Sequence, residues 1–457
     1  MKRAAFLFAL AACGSREIVN PPPGEVLLHV DTDAPLPAAA GEALPPDAPP
    51  PLFDRMRVEI FAPGATSPCD GCTNEFALDV DLVGGGLASF GVAPPPHQAG
   101  WRARVRMFLG ALLGSDGEPI PLATVETVVG LPPVDDQGTI DVSLVLSVEG
   151  VGRPVGTLDA PADPTIAAPA PSLVGTWPGA MRVSCNGSPR AGEACVPGGA
   201  FWMGTNDTLL DALSDQDELG PHLVVLSPFF LQKREATVGD MRAAGVAPFT
   251  MWSGSLSGNG IQDYCTFSKT PGNRESLPAN CVAWADAEKT CQASGAKLPT
   301  EAQYEYVASG LLGRRFPWGE DPPEACSDAV YGRAGYGLFQ ASEAPCKPAS
   351  APGGVTIAGQ GKRDRVVLES GTITDLAGNV AEWALDTWNR HDEKCWTATG
   401  VYRDPLCTRA SRDPYDHAAR GGEWLVLGGE LTRTARAAAA SVVATPEVGF
   451  RCARPAK

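Results

Sequence analysis

Thirteen cysteines are spread along the 457 residues, and their sulfur is the first place to look for chemistry. An odd number cannot close into disulfides alone. Cys69-Asp70-Gly71-Cys72 has the spacing of a redox or half-zinc motif. It lies in a Gly/Pro-rich loop between strand-like segments, and no second pair or histidine follows, so a small structural disulfide loop is expected. The five histidines (His29, His97, His222, His391 and His417) include no i, i+4 pair that one helix could turn onto a metal. His391 and His417 lie near carboxylates and could take part in acid–base chemistry, but isolated loop histidines are expected as solvated surface residues.

Cys13 accounts for the odd cysteine. Met1-Lys2-Arg3 is a short basic start, and the apolar run Ala4 to Ala12 leads into Cys13-Gly14-Ser15. Nine apolar residues are too few to span about 30 Å of hydrocarbon, so an export signal over residues 1–12 is expected. Leu10-Ala11-Ala12-Cys13 resembles the bacterial lipoprotein signal, in which the cysteine is lipidated and becomes the new N-terminus. The expectation is an exported protein held in the cell envelope, at the outer membrane, by lipid on Cys13. Each buried methylene of that lipid would contribute about 0.8 kcal/mol. No later stretch reaches 18 apolar residues.

Twelve cysteines then remain in an oxidising compartment. Short loops close most easily, which favours local pairs: Cys185 with Cys195, Cys265 with Cys281, Cys326 with Cys346, and Cys395 with Cys407.

The elements that must position these groups fall into two textures. At about 150 residues per domain the length gives two or three domains. The 44% hydrophobic content is enough for a sizeable core, and 51 Gly with 43 Pro argue against a helical bundle. A formal charge of −17 without any dense Lys/Arg cluster excludes a nucleic-acid binder. Residues 13–23, ending Pro21-Pro22-Pro23, form a lipidated tether. From 24 to 153 apolar residues alternate, as in Val26, Leu28 and Val30 or Met56, Val58 and Ile60. Similar runs cover Phe76 to Leu82, Trp101 to Phe108, Thr124 to Val129 and Ile140 to Leu146. With turn-rich breaks and no helical stretch, they predict an antiparallel, all-β sandwich serving as an adhesive or spacer module. The Pro/Ala-rich stretch 154–182 predicts a linker.

Residues 183–457 read as an α+β domain with much irregular backbone. Thr237 N-caps a short helix stopped by Gly245. Trp284 to Ala293 places Trp284, Ala287 and Cys291 on one helical face, so Cys291 should point inward. Thr300 and Gln303 form a capping box for a helix running to about Ser309.

Seven motifs, in order from about 190 to 455, carry a family resemblance. They are Pro197-Gly198-Gly199-Ala200-Phe201-Trp202-Met203-Gly204, Cys281-Val282-Ala283-Trp284-Ala285-Asp286-Ala287 and Lys297-Leu298-Pro299-Thr300-Glu301-Ala302-Gln303-Tyr304-Glu305-Tyr306. Then come Phe316-Pro317-Trp318-Gly319, Asp375-Leu376-Ala377-Gly378-Asn379-Val380-Ala381-Glu382-Trp383, Arg420-Gly421-Gly422 and Gly449-Phe450-Arg451-Cys452. The segment resembles the formylglycine-generating enzyme (sulfatase-modifying factor) family, which implies a C-type-lectin-like fold.

That resemblance implies specific site residues. Family enzymes oxidise a sulfatase cysteine to formylglycine with copper(I) held by two cysteines, soft ligands suited to a soft ion. The two positions, four and nine residues after Gly422, are Val426 and Leu431, and Glu423 stands where the family has serine. No copper is expected. The iron-dependent sulfoxide-synthase branch takes its iron from histidines, largely on an extra helical domain, and is not expected either. The family's Asp-x-x-Gly-Asn-Val-x-Glu-Trp segment wraps calcium, which implies a structural Ca²⁺ site at the side chains of Asp375 and Glu382 and the carbonyls of Gly378 and Val380. The family also bridges the cysteines matching Cys291 and Cys452, leaving Cys69 with Cys72 to complete six pairs. The implied function is a non-catalytic binding module whose groove, near Glu423, Val426 and Leu431, takes a peptide, a glycan or an envelope partner. The alternative is an oxidoreductase of the same superfamily with a reconfigured site around Glu423.

Overall fold

The computed structural model describes residues 24–456 apart from 44, 46–47, 87, 207–219, 255–260, 334–345, 347–353, 391–392, 410–416, 427 and 443. Cys13, the segments expected as signal peptide (1–12) and tether (13–23), and His391 lie outside the described residues. No helix among the described residues is long and apolar enough to cross a membrane. The chain divides into two compact units, residues 1–181 with 399–401, and residues 182–398 with 402–457.

The first unit contains two four-stranded sheets. One has the order β4-β1-β7-β8, from β1 (Glu25–Asp31), β4 (Ser89–Val92), β7 (Thr139–Val145) and β8 (Thr165–Ile166). The other has the order β3-β2-β5-β6, from β2 (Arg55–Phe61), β3 (Thr73–Ala77), β5 (Arg102–Phe108) and β6 (Val125–Gly130). Alternation does its expected work: Val26, Leu28 and Val30 are buried, as are Val58, Ile60, Val105 and Met107. The polar positions of β5 are not bare, because Arg104 and Arg106 both reach Glu59 on β2, at 2.7 and 2.8 Å.

Three sequence expectations for this unit are corrected. β1 pairs β7 in parallel along its whole length, so the unit is not purely antiparallel. The run Phe76 to Leu82 is not one strand: after β3 the Asp79 carboxylate caps the amides of Asp81 and Leu82 and starts helix α1 (Val80–Gly84). The stretch expected as a linker folds back onto the sheets. The Ala162 amide donates to the Val128 carbonyl at 2.9 Å and the Val128 amide to that of Val155 at 2.8 Å. Trp177 is buried and donates to Glu149. Proline cannot donate to a ladder, so a Pro-rich segment suits a sheet edge, and here it occupies one.

Among its described residues the second unit has four small sheets. β9 (Glu193–Val196), β12 (Phe229–Gln232) and β20 (Ala453–Pro455) form one, and β10 (Gly199–Met203), β11 (His222–Leu226) and β16 (Tyr402–Arg403) another. β13 (Arg365–Leu368) pairs with β14 (Gly371–Thr374). The fourth has the order β18-β17-β15-β19, from β15 (Ala381–Trp383), β17 (His417–Arg420), β18 (Arg436–Ala439) and β19 (Val448–Gly449). The α-helices among its described residues are α2 (Val238–Ala243), α3 (Trp284–Ala293) and α4 (Glu301–Ala308). Thr237 with Asp240 and Thr300 with Gln303 form capping boxes for α2 and α4. Cys291 is wholly buried in a core with Val238, Met241, Trp383 and Phe450.

Six disulfides are formed: Cys69–Cys72, Cys185–Cys195, Cys265–Cys281, Cys291–Cys452, Cys326–Cys346 and Cys395–Cys407. Every cysteine among the described residues is therefore bridged. The Cys291–Cys452 bridge spans 161 residues and ties α3 to the segment entering β20.

Candidate functional site

The segment 375–383 is a tight turn leading into β15. Asp375 and Asn379 both adopt positive φ, 54° and 74°, a conformation that Asp and Asn tolerate better than most side chains. The turn is held from below by Asp364, which accepts the amides of Leu376, Ala377 and Gly378 at 3.0–3.1 Å. Glu235 does the same at its far end, accepting Val380 N at 3.2 Å and Asn379 Nδ2 at 2.8 Å. Arg451 closes the group: its Nε and Nη2 reach Glu382 at 2.6–2.9 Å, and Nη2 also donates to the carbonyls of Thr374 and Asp375.

Four wholly buried carboxylates thus surround one wholly buried guanidinium. Desolvation, then the charge of Asp375, pushes Asp364 up to about 7. Desolvation also raises Asp375, Glu382 and, most of all, Glu235, where Asp375 and Glu382 add repulsion. Sequence reasoning named Asp375 and Glu382 but missed Glu235 and Asp364. Neither lies in a motif, and only the fold brings them under the turn.

The residues fit a hard cation on one observation: Asp375 Oδ1 is buried and has no partner. Glu382 is more committed, because Arg451 takes both of its oxygens. No three His, Cys, Asp or Glu side chains group as a metal cluster among the described residues. A set of two carboxylates and two backbone carbonyls does not require one.

The Arg420-Gly421-Gly422 turn lies against this loop. A Cβ at Gly421, which has φ of 83°, would lie 2.5 Å from the Tyr304 hydroxyl, and one at Gly422 would lie 2.6 Å from the Ala377 carbonyl. Arg420 is buried and paired with Glu305, with Glu301 3.6 Å away, which fixes β17 on α4. Arg436 adds a second link to Glu301 at 2.8 Å.

Beyond the glycines, Val426 and Leu431 are brought together. They belong to one apolar cluster with Phe316, Ala329, Tyr331 and Ala377, against which Trp318 and the Cys326–Cys346 bridge pack. Neither side chain carries a donor atom for a metal, so the pair does not fit copper. Leu431 is wholly buried and therefore cannot line a groove, a correction to the groove expected from the sequence. Val426 is half-buried. Glu423 is 9% exposed, and burial pushes its carboxyl up to about 8. The Leu425 amide it accepts lowers that value, and the charges of Glu447 and Glu430 add to the rise. Trp424 stacks on Tyr264 at 5.2 Å.

The four described histidines do not converge. His29 faces Asp141 at 2.7 Å, His97 faces Asp135 at 3.2 Å, and His417 stacks on Trp284 at 3.8 Å. His222 is buried between the carbonyls of Gly220 and Trp396.

Comparison with known proteins agrees with the motifs. The chain is 25% identical over 299 residues to a formylglycine-generating enzyme of Thermomonospora curvata, covering 57% of this chain and 93% of that one. It is 27% identical over 186 residues to the formylglycine-generating enzyme of Mus musculus, covering 40% of this chain but only 45% of the mouse protein. Among solved structures it is similar to PvdO from Pseudomonas aeruginosa, at 22% identity and a TM-score of 0.39 over 57% of this chain and 94% of the other. It is also similar to Treponema denticola variable protein 1, at 18% identity and a TM-score of 0.40 with the same coverage. Residues 182–456 match the model of the sulfatase-modifying factor enzyme 1-like (FGE-sulfatase) domain, and the chain belongs to that family.

Proposed function

We propose that the second unit is a binding module for a peptide, a glycan or an envelope partner rather than a formylglycine-generating oxidase. The observation that carries this reading is the packing of Val426 and Leu431 into an apolar cluster, at the two positions where the family resemblance puts copper-binding cysteines. All described cysteines are bridged, so none is left to form a mixed disulfide with a substrate thiol. The test is incubation with cysteine-containing peptides in the presence of copper, iron or calcium, read by mass. Retention of a peptide or glycan at unchanged mass supports the reading, and conversion of any cysteine to formylglycine overturns it.

A second reading, an oxidoreductase with a reconfigured site, draws on Glu423, a nearly buried carboxyl that burial pushes up to about 8. The same mass assay on Glu423→Gln separates the two, because that variant loses turnover only if turnover exists. We further propose that lipid on Cys13 holds the protein in the envelope, that the first unit is a sandwich acting as an adhesive spacer, and that calcium is structural. The ion would be held by Asp375, Glu382 and the carbonyls of Gly378 and Val380. It would neutralise buried carboxylate charge and supply no redox chemistry.

A further inference from the structure

We propose a second binding site in the C-terminal unit, a pocket for a small organic carboxylate of sugar-acid size. It lies where residues 394–396 meet residues 402–409, and it does not depend on the groove reading above. The Cys395–Cys407 bridge joins these two segments, with Cα atoms 5.6 Å apart. Between them is a cavity of about 240 Å³, room for one six-membered ring with its substituents.

Three features fix the chemistry. Trp396 lines the cavity and is 1% exposed, yet its indole N–H has no acceptor. A buried donor left unpaired is unfavourable, so a ligand oxygen that reaches this N–H is held. Lys394 and Arg409 line the same cavity, and neither side chain has a hydrogen bond or ion pair among the described residues. Two exposed cations at one cavity offer an anion from outside a pair of charge-assisted contacts. Among the described residues the neighbouring acids are already committed: Glu393 accepts the amide of Arg390, Asp404 accepts the amide and hydroxyl of Ser227, and Asp386 accepts the amides of Cys407 and Glu301.

The wall is aromatic. Tyr402 lies 6.1 Å from Trp396, and its hydroxyl is occupied by the Ala398 backbone, so the ring rather than the hydroxyl is offered to a ligand. An aromatic wall, an indole donor and two cations match a polar ring bearing a carboxylate, such as a uronic acid.

The test is titration of the full chain with D-glucuronate and with neutral D-glucose, followed by calorimetry or saturation-transfer NMR. Glucuronate is expected to bind and glucose not to bind. Lys394→Ala and Arg409→Ala should each weaken glucuronate about tenfold, the loss of one charge-assisted contact. Both residues are exposed, so these variants fold, and an unchanged Tm confirms it. Trp396→Phe keeps the ring but removes the N–H, and should weaken binding severalfold. Equal binding of glucose, unchanged affinity in the Lys394→Ala/Arg409→Ala variant, or no glucuronate binding at millimolar concentration would each overturn the proposal.

Discussion

Arg451 and Glu382 face each other at 2.6 Å with both side chains wholly buried, joining the Gly-Phe-Arg-Cys segment to the end of the Asp375 turn. Arg451 also donates to the Thr374 and Asp375 carbonyls, so one guanidinium holds two distant motifs in register.

Removing that guanidinium strands a buried carboxylate. Arg451→Met should cost about 3–5 kcal/mol, the usual loss when one member of a buried pair is deleted. Urea denaturation of the variant measures it. Adding Glu382→Gln to Arg451→Met should recover part of the loss, because the uncompensated charge is then gone.

Calcium should raise the Tm. A ligand bound only to the folded state stabilises it by about 2.7 kcal/mol at one hundred times its Kd, and EDTA should reverse the shift. Asp375→Ala should abolish the response. Asp375→Asn should retain much of it, since the amide keeps an oxygen and tolerates the positive φ. A Tm indifferent to calcium in the parent protein would remove the ion from the proposed site.

Copper(I) should not bind the parent protein at 426 and 431, because valine and leucine offer no sulfur. Val426→Cys/Leu431→Cys should gain copper(I) affinity, measurable by chromophoric competition. The two side chains share one cluster, so new thiols would face a common space. The exchange at Leu431 leaves a cavity and should cost about 2 kcal/mol.

Glu423 makes stability fall with rising pH. Its folded value of about 8 lies above the ordinary carboxylate value, so the folded state keeps a proton that the unfolded state releases. The contribution is complete below about 4.5 and is lost progressively as pH climbs to about 8. Glu423→Gln should therefore flatten the stability profile across that window and exceed the parent protein in stability above pH 8.

The Cys291–Cys452 bridge closes the longest loop, 161 residues apart. Cys291→Ser/Cys452→Ser should lose about 5 kcal/mol on the chain-entropy account. Thermal unfolding should show a larger drop than the matching double variant of Cys185 and Cys195, whose separation is 10.

The elements whose signals are local were legible. The capping boxes at Thr237 and Thr300, the inward Cys291 and the alternating strands follow from side-chain periodicity and hydrogen-bonding reach within a few residues. Short-range disulfides follow from cheap loop closure. The long Cys291–Cys452 bridge came from family resemblance, since no spacing rule selects partners 161 residues apart. The 154–182 segment misled because proline content marks both linkers and sheet edges, and only pairing partners distinguish them.

The cysteine positions, the valine and leucine after Arg420-Gly421-Gly422 and the acidic balance are fixed by the chain alone. What they do was decided by tertiary structure. Leu431 became core rather than groove because Phe316, Tyr331 and Ala377 surround it. Glu235 and Asp364 became part of the Asp375 loop because its turned amides needed acceptors that nearby sequence could not supply. Lys394 and Arg409 came to share a cavity because the Cys395–Cys407 bridge joins their segments. Sequence sets which groups exist and which local turns form. Burial and long-range partners set their charge, their exposure and their neighbours.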